Sequence, residues 1–190
     1  PFSPICLIKS TSLEKITGFF RSSGFSEADV KKIVQAFSRK AFKKGEYLLE
    51  AGQVNHHLGL VESGHFMLFI LSNGEERTTY VVGENQFVAS LWSFLKETPS
   101  REYIRCIADG YLWLVSKADL LRLQNEIAGF REFYIQVLEN EICCIEDSRY
   151  NLITLNAEER YLKLLKEEPR LLQQIPLQYL AAILGVTPRH

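Results

Sequence analysis

The sequence predicts an α+β protein: an antiparallel β roll, then a long helix, then a helix-turn-helix-like tail. Three observations carry the prediction. Residues 39–69 read as short strands with glycine at each corner, the pattern of sandwiches and barrels. Residues 127–151 keep helical spacing with no proline. Residues 178–189 (QYLAAILGVTPR) set a small residue, a glycine turn and a Thr-Pro helix start in succession.

Composition sets the outer limits. A chain of 190 residues holds one large or two small domains. Its 46% hydrophobic and 24% charged residues are those of an ordinary globular protein. The formal net charge of -1 exerts no global pull on nucleic acid, so any DNA contact must come from a local patch. No apolar run approaches the roughly 18 residues of a membrane span. Pro1-Phe2-Ser3-Pro4-Ile5-Cys6-Leu7-Ile8 is too short for a signal-peptide core and has no charge before it. A cytoplasmic protein without membrane contact is therefore expected. Cys6, Cys106, Cys143 and Cys144 show no CxxC spacing, so they read as free thiols rather than a metal or disulfide framework. The chain begins at Pro1 without Met and stops at His190 inside an unfinished element, which reads as trimming at both ends.

Two helices come first, over residues 10–22 and 26–38. Leu13, Ile16, Phe19 and Phe20 share a face of the first, and Ile33, Val34 and Phe37 share a face of the second. Ser26 with Asp29 resembles a capping box. The roll follows. Lys43-Lys44-Gly45-Glu46 turns into a strand at 47–50, and Ala51-Gly52-Gln53 turns toward a strand at 58–61. Glu62-Ser63-Gly64 turns into a strand at 65–71. Asn73-Gly74 opens a hairpin into 77–82, because both residues tolerate positive φ. Residues 83–86 turn into 87–89, residues 91–95 form one helical turn, and 96–100 (KETPS) form a loop. Strands at 101–108 and 110–116, joined at Asp109-Gly110, close the roll. A short helix is expected at 117–124.

The helix at 127–151 carries two apolar stripes. Ile135, Leu138, Ile142 and Ile145 form one, and Phe133, Tyr134, Val137 and Cys144 the other. A surface helix needs one stripe, so this one is expected to bury two sides. One side meets its own roll; the other meets a second copy of itself in a short coiled coil. Cys143 and Cys144 are read as packing residues. Asn156 is a good N-cap for the next helix, with acids in its first turn, and that helix ends before Pro169. Pro176 is placed at the first position of the helix after it. In the tail, Ala181 must be small where two helices cross, and Gly185 supplies the turn. Val186 plugs the angle, and Thr187-Pro188 starts a helix suited to the major groove.

That order resembles the bacterial Crp/Fnr family of transcription regulators. Gly45-Glu46, Gly52, Gly64 and Asn73-Gly74 match the family's glycine skeleton, and Asn156-Ala157-Glu158-Glu159-Arg160-Tyr161 looks like the entry to its DNA-binding domain. The resemblance implies a cyclic-nucleotide-binding-type jelly roll (residues 1–125), a dimerisation helix (126–152) and a partial winged-helix DNA-binding domain (153–190). It implies no catalytic role and no cofactor. The implied partners are a palindromic DNA operator, a second copy of the chain, a small-molecule effector and RNA polymerase. A roll that senses a ligand or a protein without binding DNA is the alternative. The family's phosphate cassette sets Gly-Glu before a short helix and Arg-Ser or Arg-Thr after it. Here Ala89-Ser90 replaces Gly-Glu, and Ser100 falls where arginine belongs. Arg101 comes one residue late, which on a strand is the opposite face. The effector pocket is expected to involve Phe87, Ala89, Ser90, Trp92, Ser100, Arg101 and Tyr103, without affinity for cyclic AMP. Thr187, Arg189 and His190 are the expected DNA contacts. Tyr134, Ile135, Leu138, Ile142 and Ile145 are the expected dimer seam.

A metal-dependent enzyme on a cupin-type roll is disfavoured. His56-His57 with Glu62 offers adjacent histidines, which on a strand point to opposite faces.

Overall fold

The computed structural model describes residues 12–167 and 169–186. Two long antiparallel strands organise it. β3 (His57–Ser72) and β6 (Tyr103–Ser116) pair along most of their length, from Leu58 opposite Val115 to Phe69 opposite Tyr103. β1 (Ser38–Phe42) and β2 (Tyr47–Leu49) pair with two different stretches of β6. β4 (Glu75–Val82) and β5 (Phe87–Val88) do the same with β3. Sharing the two long strands in this way curls one six-stranded antiparallel sheet into a roll.

Each long strand was expected as two short ones broken at a glycine corner. The glycines bend the strands instead of ending them. A Cβ on Gly64 would meet Ala108 O at 2.6 Å, and one on Gly110 would meet Ser63 O at 2.0 Å. The two backbones thus pass at a distance that only glycine permits, and the register shifts there without the pairing being lost. β1 was not foreseen. Its sequence, Ser-Arg-Lys-Ala-Phe, buries only Phe42, so it shows no alternation; pairing with β6 makes it a strand. The Asn73-Gly74 hairpin forms as expected, with φ of 55° and 80° and Ser72 opposite Glu75.

Helices cover the roll. α1 (Ser12–Ser22) and α2 (Glu27–Gln35) precede it. Asp29 N–H donates to Ser26 Oγ at the start of α2, and the Ser26 hydroxyl donates back to Asp29. α3 (Leu91–Lys96) is the single short helix after β5, and α4 (Lys117–Glu126) follows β6. The long helix, α5, runs Phe130–Thr154. It starts three residues later than expected, because Ile127 caps α4 and Gly129 turns the chain at φ +79°. α6 (Ala157–Glu167), α7 (Pro169–Gln174) and α8 (Leu177–Ile183) complete the described chain. α7 was not foreseen, and Pro176 stands at the N-cap of α8 rather than inside it.

Three apolar clusters hold these parts together. The first joins α1, α2, α4 and the start of α5 to the outside of the roll through Phe20, Ile33, Phe37, Val115 and Phe130. The second fills the roll with Phe42, Val61, Phe66, Ile104 and Leu112. The third packs Ile175, Tyr179 and Ile183 against Met67, Phe69 and Ile107 of the roll.

Candidate functional site

A cavity of about 400 Å³ lies between the open side of the roll and the second half of α5. Its floor is apolar: Leu58 and Leu68 from β3, Val82 from β4, Phe87 and Val88 from β5. Leu91 and Trp92 of α3 stand at one side, Trp92 largely exposed at the mouth. Glu141, Ile145, Ser148, Arg149 and Leu152 of α5 form the lid. The volume falls in the range of about 300–1,000 Å³ usual for small-molecule sites.

Of the expected pocket residues, Phe87, Ala89 and Trp92 line this cavity. Ser90 and Ser100 are fully buried just behind it, their hydroxyls 3.0 Å apart. Ser100 also takes the Glu102 N–H (3.1 Å) and gives to the Glu102 carbonyl (2.8 Å), which shapes the chain into β6. Arg101 is exposed and contributes nothing to the lining. Tyr103 requires a correction. It stacks on Phe69 (centroids 5.0 Å, planes 13° apart) on the far side of the sheet from the cavity. Alternation explains this: Glu102 takes the inward position, so Tyr103 faces out.

Two carboxylates were missed. Glu102 lines the cavity and accepts hydrogen bonds from Thr79 Oγ1 (3.3 Å) and Ser90. Burial raises its pKa. Glu141 has no hydrogen-bond or ion-pair partner among the described residues, and burial pushes its pKa up to about 7. A sequence signal existed for Glu141: it sits four residues from Val137 and four from Ile145, a charge inside an apolar stripe. Glu102 carried no such signal, because its facing depends on where β6 begins.

The apolar stripes of α5 also separate. Phe133, Tyr134 and Val137 pack against the first cluster. Tyr134 therefore belongs to the roll-facing stripe rather than to the outer one, and burial raises the pKa of its phenol. Ile135, Ile142 and Ile145 are 47%, 57% and 48% exposed, and Leu138 is half-buried. Cys143 and Cys144 are exposed, not packed, and line an open groove beside β4.

On the opposite side of the roll, α8 is docked through a basic-aromatic contact. The Arg105 guanidinium is held bidentately by Glu76 and lies 4.7 Å from the Phe69 ring and 5.5 Å from that of Tyr179. Asn156 and Glu159 form a reciprocal cap at the start of α6 (3.0 and 2.8 Å), and Arg160 Nη2 donates to Leu184 O at the end of α8 (2.6 Å). Gly185 then turns at φ +65°. Thr187, Arg189 and His190 lie outside the described residues. Near the histidines, Glu62 is buried and bidentately bound by Arg39 (2.7 and 2.8 Å), while His56 and His57 are exposed. No cluster of metal-ligating side chains occurs among the described residues, and no helix there is long and apolar enough to cross a membrane.

Comparison with known proteins agrees with this architecture. Residues 39–126 match the cyclic nucleotide-binding domain family. No curated protein sequence matches the chain. Among solved structures, the chain is similar to the catabolite activator protein of Thermus thermophilus: 22% identity and a TM-score of 0.57, covering 87% of this chain and 80% of that one. It is similar to the c-di-GMP-responsive global regulator CLP of Xanthomonas campestris (16%, TM-score 0.68, 86% and 87%). It is also similar to a Crp/Fnr-family protein of Eubacterium rectale (19%, TM-score 0.68, 90% and 83%). At these identities the likeness speaks for the fold.

Proposed function

We propose that this chain, whose residues 39–126 match the cyclic nucleotide-binding domain family, is the sensing part of a homodimeric, DNA-binding transcription regulator. Its roll, residues 1–125, senses a small molecule other than cyclic AMP. Residues 126–152 pair two copies, and residues 153–190 open a winged-helix domain that reads a palindromic operator.

One observation carries the reading. α5 sets an uncovered apolar stripe, Ile135, Ile142 and Ile145, directly beside the cavity that the same helix roofs. A seam and a lid on one rigid element let occupancy of the cavity bias how two copies pair, which is the differential contact that a ligand-driven switch requires. The solved structures of similar fold include proteins described as regulators, which supports the same view. In the tail, α8 ends in the Gly185 turn, which supports the reading, made from the sequence, of Thr187, Arg189 and His190 as the DNA contacts.

The cavity offers a cyclic phosphate little charge compensation: its one lining cation among the described residues, Arg149, stands exposed at the rim and is already paired with Glu146. Arginine is absent from the Ser100 position, and Glu102 faces inward. Cyclic AMP at millimolar concentration is therefore expected to leave the melting temperature unchanged, whereas a ligand at a hundred times its dissociation constant adds about 2.7 kcal/mol. The deciding experiment is selection of duplexes from genomic DNA by the full-length protein. Recovery of two-fold symmetric sites, with Arg189→Ala costing about 1–3 kcal/mol or lowering the salt slope by about one, supports the regulator. A dimer that selects no duplex is a sensor module instead.

A further inference from the structure

The cavity carries the charge pattern of a receptor for a cation, not for an anion. Its floor and walls are apolar along β3, β5 and α3. Two carboxylates enter from opposite sides: Glu102 at the start of β6 and Glu141 on α5. The charged and titratable groups that face them are few. β4 adds the Thr78 and Thr79 hydroxyls and Tyr80, and α5 adds Arg149. Arg149 is the cavity's one lining cation among the described residues. Its side chain is 63% exposed at the rim and is already paired with Glu146 at 3.3 Å. Glu141, in contrast, has no hydrogen-bond or ion-pair partner among the described residues.

A carboxylate taken out of water without a partner is costly. In an empty cavity the protein meets that cost by holding a proton, and burial raises the pKa of both groups accordingly. A bound cation removes it directly through charge-assisted hydrogen bonds. The aromatic faces of Phe87 and Trp92 suit the same kind of guest, since they accept an apolar body and attract a cation.

We propose that the cavity binds a small amphipathic cation, an apolar body carrying an amine, with Glu102 and Glu141 as the recognition groups. The ligand class rests on the sensor reading above and deepens it. The amine sits between the two carboxylates, and its apolar body lies on Leu58, Val82 and Phe87. Both carboxylates must be ionised in the complex. Binding therefore releases the proton that Glu141 holds, and affinity rises as pH rises through its raised pKa.

Three isosteric probes test this by calorimetry on the full-length protein: 2-phenylethylamine, 2-phenylethanol and 3-phenylpropanoate. The amine is expected to bind at least tenfold more tightly than the alcohol, and the propanoate not at all. Glu102→Gln and Glu141→Gln should each lose at least tenfold in amine affinity and leave alcohol affinity unchanged. Wild-type affinity for the amine should rise severalfold from pH 6 to pH 8, and that rise should be lost in Glu141→Gln. The inference is overturned if the propanoate binds as well as the amine, if the amine is no better than the alcohol, if none of the three binds, or if the two variants bind the amine like the wild type. Dimerisation and DNA selection are measured alongside without probe. If they persist while the charge preference fails, the ligand class is wrong and the regulator stands; if they too fail, the regulator falls with it.

Discussion

The first turns of α5 bury the side that faces the roll. Phe130 is 1% exposed, and Phe133, Tyr134 and Val137 lie against α1, α2 and the roll. The later turns carry Ile142, Ile145, Leu152 and Ile153, all exposed. The two stretches are alike in residue type and belong to one unbroken helix. What separates them is the reach of the neighbours: α1 and α2 cover the roll near Phe130, and among the described residues nothing covers the outer face past Val137. The near half of α5 thus holds the fold, and the far half leaves apolar side chains exposed for the proposed pairing. The far half also turns Glu141 inward to the cavity, so the proposed recognition and the proposed pairing would share the same few turns.

The sharpest break of this comparison is in the near half. Phe130→Ala removes a fully buried ring from a cluster that includes Phe25 and Phe133, and should cost about 3–5 kcal/mol in denaturant unfolding. A loss under about 1 kcal/mol would mean that this half of the helix does not hold the fold. The same severity in the far half should act on association alone. Leu138→Asp with Ile142→Asp should weaken the dimer by about 100-fold or more, about 2.7 kcal/mol, because charges would be buried in the seam. Sedimentation checks this, and a wild type already monomeric at micromolar concentration would remove the distinction between the halves.

Glu141 sharpens the comparison with a smaller effect. Its folded pKa, about 7, stands above the ordinary carboxylate value of 4.5. Between these values the folded state holds a proton that the unfolded state has lost, so stability falls as pH rises through that window. Glu141→Gln removes the titration. The variant should match the wild type near pH 4.5 and exceed it by on the order of 1 kcal/mol at pH 8, as thermal melts would show. Equal melting temperatures at pH 8 would place Glu141 in water and the cavity open.

Features that depend on nearby residues are readable from the amino acids alone. The Asn73-Gly74 hairpin, the Ser26 and Asn156 caps and the helical stripe of α5 all formed, because a cap or a tight turn is decided within about four residues. The expected loss of the phosphate cassette rests on the identities of Ala89, Ser90 and Ser100 alone and needs no tertiary structure to be read. Features that depend on partners remote in the chain come from the packing of the whole fold. β1 is a strand because β6 pairs with it across 76 residues from Ser38 to Leu114. β3 and β6 run on through Gly64 and Gly110 because each glycine makes room for the other's backbone. Tyr103 and Glu102 exchange faces according to where β6 begins, a one-residue matter that strand periodicity turns into opposite sides of the sheet. The pairing of Glu102 with Glu141 across the cavity is the furthest from local control. It joins the start of a strand to the middle of a helix, and only the packing of α5 on the roll brings two carboxylates to one apolar space.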